Sequence, residues 1–427
     1  MKKISPTDGS FLSDEFVRQL ISVGEVDILV GLPTYNNAKT IGAIVEAVQA
    51  ELLASFPRER AAIINADGGS QDGTPNMILN AAIDDAQRSP KRNALRTLPS
   101  ISVQYAGSPA RGIALRSILA AAELLRAKAC VVISSESSPV QQNWLASLLR
   151  PVYNESFDLV LPTYSRHRFD GILLTNLLYP MTRALYGQRI REPYALDFAF
   201  SGRMGNQFLE QNAWHDGNAQ TGSEMYLTLN AIAGKYRICQ SFLGTKEHVE
   251  RRSSDLVPAL RQTVGALFDS LEPNLASWNS ISNSQPIPTT GPEREFTLEP
   301  LRINRKRLRE AFSTGITELE SVFRSILSAA TLQELQQIAS VDEAQFRYPS
   351  ELWVKTVYEF AASYRKSVIN RDHILQALAP LFRGRAYTFL AENRNGSADD
   401  VENNIEALCL EFERLKPYLL SLWNSGE

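Results

Sequence analysis

The chain has 427 residues, 44% of them hydrophobic, which calls for two globular units with a sizeable buried core. Its formal net charge of -3 excludes a general electrostatic pull toward nucleic acid or an anionic membrane. The three cysteines, Cys130, Cys239 and Cys409, lie far apart, which excludes a disulfide or zinc framework and fits buried thiols in a reducing compartment.

The opening MKKISPTDGSFLSDEF carries two lysines with no apolar segment behind them, so no secretory leader and a cytoplasmic location are expected. The longest apolar tract, around 118–133, is interrupted by Glu123, Arg126 and Lys128, so no membrane span is expected. Residues 26–31, VDILVG, form an apolar run that ends in PTYNN before a helix-spaced stretch, IGAIVEAVQAELL. Residues 60–66 repeat the plan and end in DGGSQDGT before a helix near 75–86. The run ISVQYAG ends in SPARG before a helix over 113–128, and CVVISS is the fourth run. Four strand–loop–helix units in succession predict a mainly parallel α/β sheet with helices on both faces. In such sheets a ligand sits where the polar loops gather, at the carboxyl ends of the strands.

After about residue 160 come LVLPTYSRHRFDG, a helix in LLTNLLYPMTRALYG, then YALDFAFSG, a helix over 224–233, the strand YRICQSFLG and a helix over 256–272. The Pro-, Ser- and Asn-rich stretch 273–296 reads as a linker or wrapping loop. Beyond it the pattern is helical. Leu308, Phe312, Ile316, Leu319, Phe323 and Ile326 share one helix face, and Thr331-x-x-Glu334 has the form of a capping box. A further helix opens at Ser350 with Trp353, Val357, Phe360 and Tyr364 inward. The expected organisation is an extension over 1–24, a catalytic unit over 25–272, a linker over 273–299 and a helical domain over 300–427, with homodimerisation expected.

The segment Asp67-Gly-Gly-Ser-Gln-Asp72-Gly-Thr74 is the most informative. A carboxylate at a strand end can accept from a base or a ribose, glycines let backbone approach a ligand, and Asp72 and Thr74 suit a helix N-terminus. An ordinary Asx/Gly turn has the same composition, but PTYNN one unit earlier favours a ligand site.

With L-P-T-Y-N-N at 32–37, A-D-G-G-S-Q-D-G-T at 66–74 and A-R-G-I-A-L-R at 110–116, the chain resembles the GT-A glycosyltransferases of the family-2-like type. DGILLTNLLYPMTRALYG, D-F-A-F-S-G at 197–202 and LGTKEHVERRSSDLVPALRQTVGALF are similar to the retaining branch of mannosylglycerate and glucosyl-3-phosphoglycerate synthases. The resemblance covers about 25–270. It implies a GT-A fold and transfer of a hexose from a GDP- or UDP-sugar to a small anionic acceptor of the glycerate or 3-phosphoglycerate type, with Mg²⁺ or Mn²⁺ as cofactor.

Carried over by position, the resemblance implies that Pro33, Thr34 and Asn37 line the nucleotide, Asn37 standing where the family has glutamate. Asp67, with Gly68, is the base-contacting turn. Arg111 and Gly112 stand at the family's G-K-G, keeping a cation for the diphosphate. Counting back from Trp144 puts Ser134-Ser135-Glu136 on the metal-binding D-x-D, with Ser135 beside the donor, Glu136 the one carboxylate left and His248 completing the metal site. Asp197 and Glu224 fall near the reaction centre. The cations Arg166, Arg168, Arg183, Arg189 and Arg191 suit an anionic acceptor, with Arg166, Arg168 and Thr175 as its contacts, although Arg189 and Arg191 read rather as a solvated helix face. A departing diphosphate gathers negative charge while the sugar gains oxocarbenium character, so cations and a fixed carboxylate are the residue types required. A nucleotide-binding scaffold without turnover, its helical part an interaction module, is the competing reading. An inverting, polymer-forming enzyme would want a base after the fifth strand and a polymer-binding element, and neither is evident.

Overall fold

The computed structural model describes residues 12–88, 100–104, 111–135, 143–210, 222–246, 256–291, 296–297 and 304–425. The expected fold class is observed: a mainly parallel sheet covered by helices on both faces, followed by an all-helical C-terminal part.

The strands are β1 (Ile28–Thr34), β2 (Ala61–Asp67), β3 (Ser100–Gln104), β4 (Ala129–Val132), β5 (Leu159–His167), β6 (Phe198–Ser201), β7 (Ile238–Thr245), β8 (Thr289–Thr290) and β9 (Phe296–Thr297). Their order is β3-β2-β1-β4-β6-β5-β7-β8, with β9 beside the end of β5. All pairings are parallel except those of β6, which runs antiparallel between β4 and β5. β1 and β2 are buried along their whole length, as strands covered on both faces must be. Within the stretch read as a linker, β8 pairs with β7 at the sheet edge, and β9 pairs with the end of β5.

One face of the sheet packs on the helices Ile41–Ser55 and Trp144–Glu155 through Ile28, Val30, Leu32, Ile63, Val131, Val45 and Leu148. The other face packs on Arg111–Leu124 and Gly202–Leu209, and its apolar cluster runs on without a break into the C-terminal helices through Leu267, Trp353, Leu378 and Phe412. Polar clamps accompany this packing. Arg183, fully buried, reaches Glu406 with both terminal nitrogens and Glu413 with Nε. Arg191 makes a two-pronged bond to Glu402. The Lys416 ammonium lies within hydrogen-bond reach of the carbonyls of Ala184, Leu185, Trp278 and Ile281.

Three local expectations change. The face from 308 to 326 belongs to two helices, Arg305–Glu318 and Glu320–Ile326, because Leu319 leaves helical geometry with ψ 19°. The next helix, Ala329–Ser340, is capped by Ser328, whose hydroxyl accepts the Thr331 amide; Thr331 lies inside the first turn and gives its hydroxyl to buried Glu359. The helices over 173–186 and 256–271 each contain a π-turn, Leu174–Leu178 and Arg261–Gly265.

Candidate active site at the carboxyl ends of the strands

The strand register brings the quoted motifs together. Thr34 pairs with Asp67 across β1 and β2, and Gly31 pairs with Val132 across β1 and β4. The loops leaving these strands therefore start side by side. Asn37 Oδ1 accepts from its own loop at the Tyr35 amide (2.7 Å) and from Ser135 Oγ (2.9 Å), which also lies 2.7 Å from the Pro33 carbonyl. Thr40 Oγ1 donates to the Ser135 carbonyl at 2.9 Å. PTYNN is tied to DGGSQDGT as well: the Asn36 amide donates to Ser70 Oγ, the Asn37 amide to Thr74 Oγ1 and the Ala38 amide to Asp72 Oδ2.

Asp67 is fully buried and organises its own turn. Its Oδ2 accepts the amides of Gly69 and Ser70, and its Oδ1 accepts Ser70 Oγ at 2.6 Å, with Thr34 Oγ1 at 2.9 Å. The Gly68 amide returns to the Thr34 carbonyl. Gly69 has φ +88°, a left-handed conformation that needs glycine. The expected base-contacting carboxylate thus has both oxygens engaged inside the loop, because the amides of its own Asx-type turn reach it first. Tyr35, on the neighbouring loop, is 48% exposed and escaped the sequence reading.

Asp197 immediately precedes β6, and Phe198 pairs with Val132. That antiparallel register places the Asp197 carboxylate at the mouth of β4, where Oδ1 accepts the Ser134 amide at 2.7 Å. Oδ2 accepts the Tyr164 hydroxyl at 2.9 Å, and the carboxylate is fully buried. Burial, then the Asp197 and Glu192 carboxylates, push the Tyr164 phenol well above its ordinary range, so it remains the donor in this pair. Tyr164 was not among the expected residues; its only signal is an aromatic hydroxyl near the end of a strand.

Arg111, at the start of its helix, gives Nε to the buried Glu224 and Nη2 to the Leu196 carbonyl at 2.8 Å. Its Nη1 has no partner among the described residues, and Gly112 beside it is buried. Glu224 also accepts from Ser223 Oγ, so it acts here as the anchor of Arg111.

The expected acceptor residues are bonded within the fold. Arg166, beside the Tyr164 ring, gives Nε and Nη2 to Glu192 at 2.8 Å each and Nη1 to Asp170 at 3.0 Å, which neutralises its charge with two carboxylates. Arg168 donates to the Gly396 carbonyl beyond the C-terminal helix Arg371–Glu392. Thr175 is buried in the first π-turn, its hydroxyl near the carbonyls of Gly171 and Ile172. Arg183 and Arg191 hold the acidic helix Ala398–Arg414, and Arg189 reaches Ser284. Two of the five arginines, Arg183 and Arg191, are therefore the docking contacts of that helix.

Lys246, adjoining β7 and also unforeseen, closes the other side of the site. Its amide donates to the Ser165 carbonyl at 2.9 Å, and its Nζ stands 4.6 Å from the centre of the Tyr164 ring. Burial, then Arg166, lower its pKa against the pull of Asp197, Glu192 and Asp170.

Glu136 and His248 lie outside the described residues. Among the described residues no group of three or more histidine, cysteine or acidic side chains could hold a metal. Ser134 and Ser135 spend their amide and hydroxyl on Asp197, Pro33 and Asn37. The described residues therefore do not fit a divalent ion by themselves. Among them, too, no helix is long and apolar enough to cross a membrane.

Compared with known proteins, the chain matches no protein-family profile and no curated sequence. Solved structures do match it. Glucosyl-3-phosphoglycerate synthase from Mycobacterium tuberculosis with phosphoglyceric acid is 19% identical, covering 59% of this chain and 83% of its own, at TM-score 0.42. The same enzyme with Mg²⁺ and UDP is 20% identical over 59% and 82%, again at 0.42. With Mn²⁺, UDP and glucosyl-3-phosphoglycerate it is 20% identical over 59% and 83%, at 0.42. The chain is similar to this enzyme at that level only. The residue roles below rest on the motifs and the geometry of the site.

Proposed function

We propose that the protein is a retaining glycosyltransferase that moves a hexose from a nucleotide-diphosphate sugar to a small anionic acceptor of the glycerate or 3-phosphoglycerate class. One observation carries this reading: PTYNN, DGGSQDGT, the Ser134–Ser135 loop and Asp197 are separate in sequence yet hydrogen-bonded into one polar cluster at the strand ends. The place of a ligand in an open α/β sheet is there.

In this reading the Asp67 turn and Asn37 hold the floor of the nucleotide pocket rigid, and Tyr35 offers a ring face to the base. Arg111, fixed on two edges by Glu224 and Leu196, turns Nη1 toward the diphosphate, so that its charge is oriented before the ligand arrives. Asp197, held by Tyr164 and the Ser134 amide, is a fixed negative charge beside the sugar that favours a cationic transition state through the field rather than by contact. The departing diphosphate takes the acceptor proton on the same face, which retains configuration. A divalent Mg²⁺ or Mn²⁺ on Glu136 and His248 belongs to the proposal; when bound, it would neutralise the diphosphate as a Lewis acid.

The test is titration with UDP and GDP, with and without Mn²⁺, followed by transfer assays from NDP-hexoses to glycerate and 3-phosphoglycerate. Asp197→Asn is expected to lower kcat about 100-fold or more while leaving nucleotide affinity within about twofold. Unchanged turnover in this variant, or no nucleotide binding by the native chain, refutes the reading. The bonding of Arg166 to Glu192 and Asp170 inside the fold favours a second one, a nucleotide-binding scaffold. Nucleotide binding without transfer to any acceptor would select it.

A further inference from the structure

We propose that Lys246 binds the diphosphate of the nucleotide-sugar, supplying positive charge at a loop whose described part contains no metal-ligating carboxylate. This rests on the nucleotide-sugar reading above and adds a residue and a charge source that the motifs do not name.

The first support is position. β7 runs parallel to β5 with Thr245 level with Ser165, and the Lys246 amide continues the ladder onto the Ser165 carbonyl. The backbone at Lys246 is thus fixed by the sheet, at the end where the loops gather. Its side chain crosses the Tyr164 ring, and the hydroxyl of that ring holds Asp197, whose other oxygen holds the Ser134 amide. Lys246, Tyr164, Asp197 and the start of the Ser134–Ser135 loop therefore form one continuous row.

The second support is a comparison of the cations around that row. Arg166 faces the same ring, its Cζ 5.3 Å from the centre, but is consumed by Glu192 and Asp170. Arg111 keeps one nitrogen and spends the others. Lys246 alone of these three is committed to no carboxylate: its Nζ makes no ion pair and no hydrogen bond with a described residue, the Tyr164 ring lies beside it, and Asp197, Glu192 and Asp170 act on it only at longer range. A partly buried ammonium has lost much of its water without gaining an anion, and a ring face returns only part of that cost. An incoming phosphate oxygen supplies what is missing, and Lys246 and Arg111 then approach the diphosphate as two separate cations. If Lys246 merely covers Tyr164, its charge is dispensable.

The experiment measures affinity for UDP, GDP and uridine, in EDTA and in Mn²⁺, for the native chain, Lys246→Met and Lys246→Arg. Expected are UDP or GDP binding by the native chain in EDTA and a loss of about 10- to 100-fold in Lys246→Met. Uridine, which has no phosphate, binds the native chain and the Met variant alike, and Lys246→Arg recovers most of the diphosphate affinity. Should Lys246→Met not fold, Lys246→Gln replaces it, judged by an unchanged thermal transition. Equal diphosphate affinity in native and variant chains overturns this proposal alone, and so does an equal loss for uridine. No nucleotide binding by the native chain overturns the proposed function and this inference with it.

Discussion

Arg183→Met tests whether the C-terminal helices are held to the sheet unit by charge as well as by apolar packing. Arg183 is 0% exposed, bonded to Ser284 Oγ at 2.9 Å, Glu413 at 2.8 Å and Glu406 at 2.5 and 2.7 Å. Methionine keeps much of the stem but leaves two carboxylates without their cation. Breaking a buried pair from one side costs about 3–5 kcal/mol. The carboxylate side chains are 37% exposed at Glu406 and 14% at Glu413, so water recovers part of this. The expected loss is about 3 kcal/mol, at the lower end of that range. Urea unfolding reads the loss, and hydrogen exchange locates it: protection should fall first over 398–424, with β1 and β4 unaffected. The cycle with Glu406→Gln should return a coupling of about 1 kcal/mol or more. A loss below about 1 kcal/mol, additive single variants, or a uniform fall in protection would refute the reasoning.

Asp158 joins three strands: its carboxylate accepts from Ser201 Oγ, Arg203 Nη2 and the Arg237 amide. Burial pushes this carboxyl up, but those donors together carry it below its ordinary value of 3.8. The unfolded chain therefore takes up this proton first, so the stability is present above pH 3.8 and is lost as the pH falls through the depressed folded value. Asp158→Asn should be less stable at pH 7 and lose less on acidification from about pH 5; an unchanged acid slope in urea titrations would remove Asp158 from that role. Gly202→Ala should be severely destabilised, because its new Cβ would sit 2.0 Å from the Ala127 carbonyl oxygen in a helix start already fixed by Ser201. The expected cost is about 3 kcal/mol or more, and a melting temperature within about 1 °C of the native chain would contradict the packing argument.

What could be read from the sequence was what is local. An apolar run followed by a Gly-rich polar turn and a helix-spaced stretch identifies a strand end without knowledge of its neighbours, and PTYNN and DGGSQDGT were placed correctly at strand ends for that reason. Features set by distant partners were not readable. Thr331 reads as the helix cap, but the cap is Ser328, and Glu359 takes the Ser328 amide and the Thr331 hydroxyl from another helix. Arg183 reads as an anion contact and Arg191 as a solvated helix face, because Glu402, Glu406 and Glu413 are more than 200 residues away and read as an ordinary solvated helix face themselves. The same cause operates inside the site. Asp67 has the residue type for a ligand contact, but its own turn satisfies it first, so type and spacing alone cannot separate a binding carboxylate from one that builds the loop. Lys246 is the converse. It sits in G-T-K-E-H beside the more conspicuous histidine, and only the pairing of β7 with β5 brings its ammonium over Tyr164. Whether a charged residue is spent or available is a property of the assembled sheet. On that criterion, among the described cations beside Tyr164 and Asp197, the Lys246 ammonium and Nη1 of Arg111 are left to meet an anion, whereas Arg166 is bonded to two carboxylates.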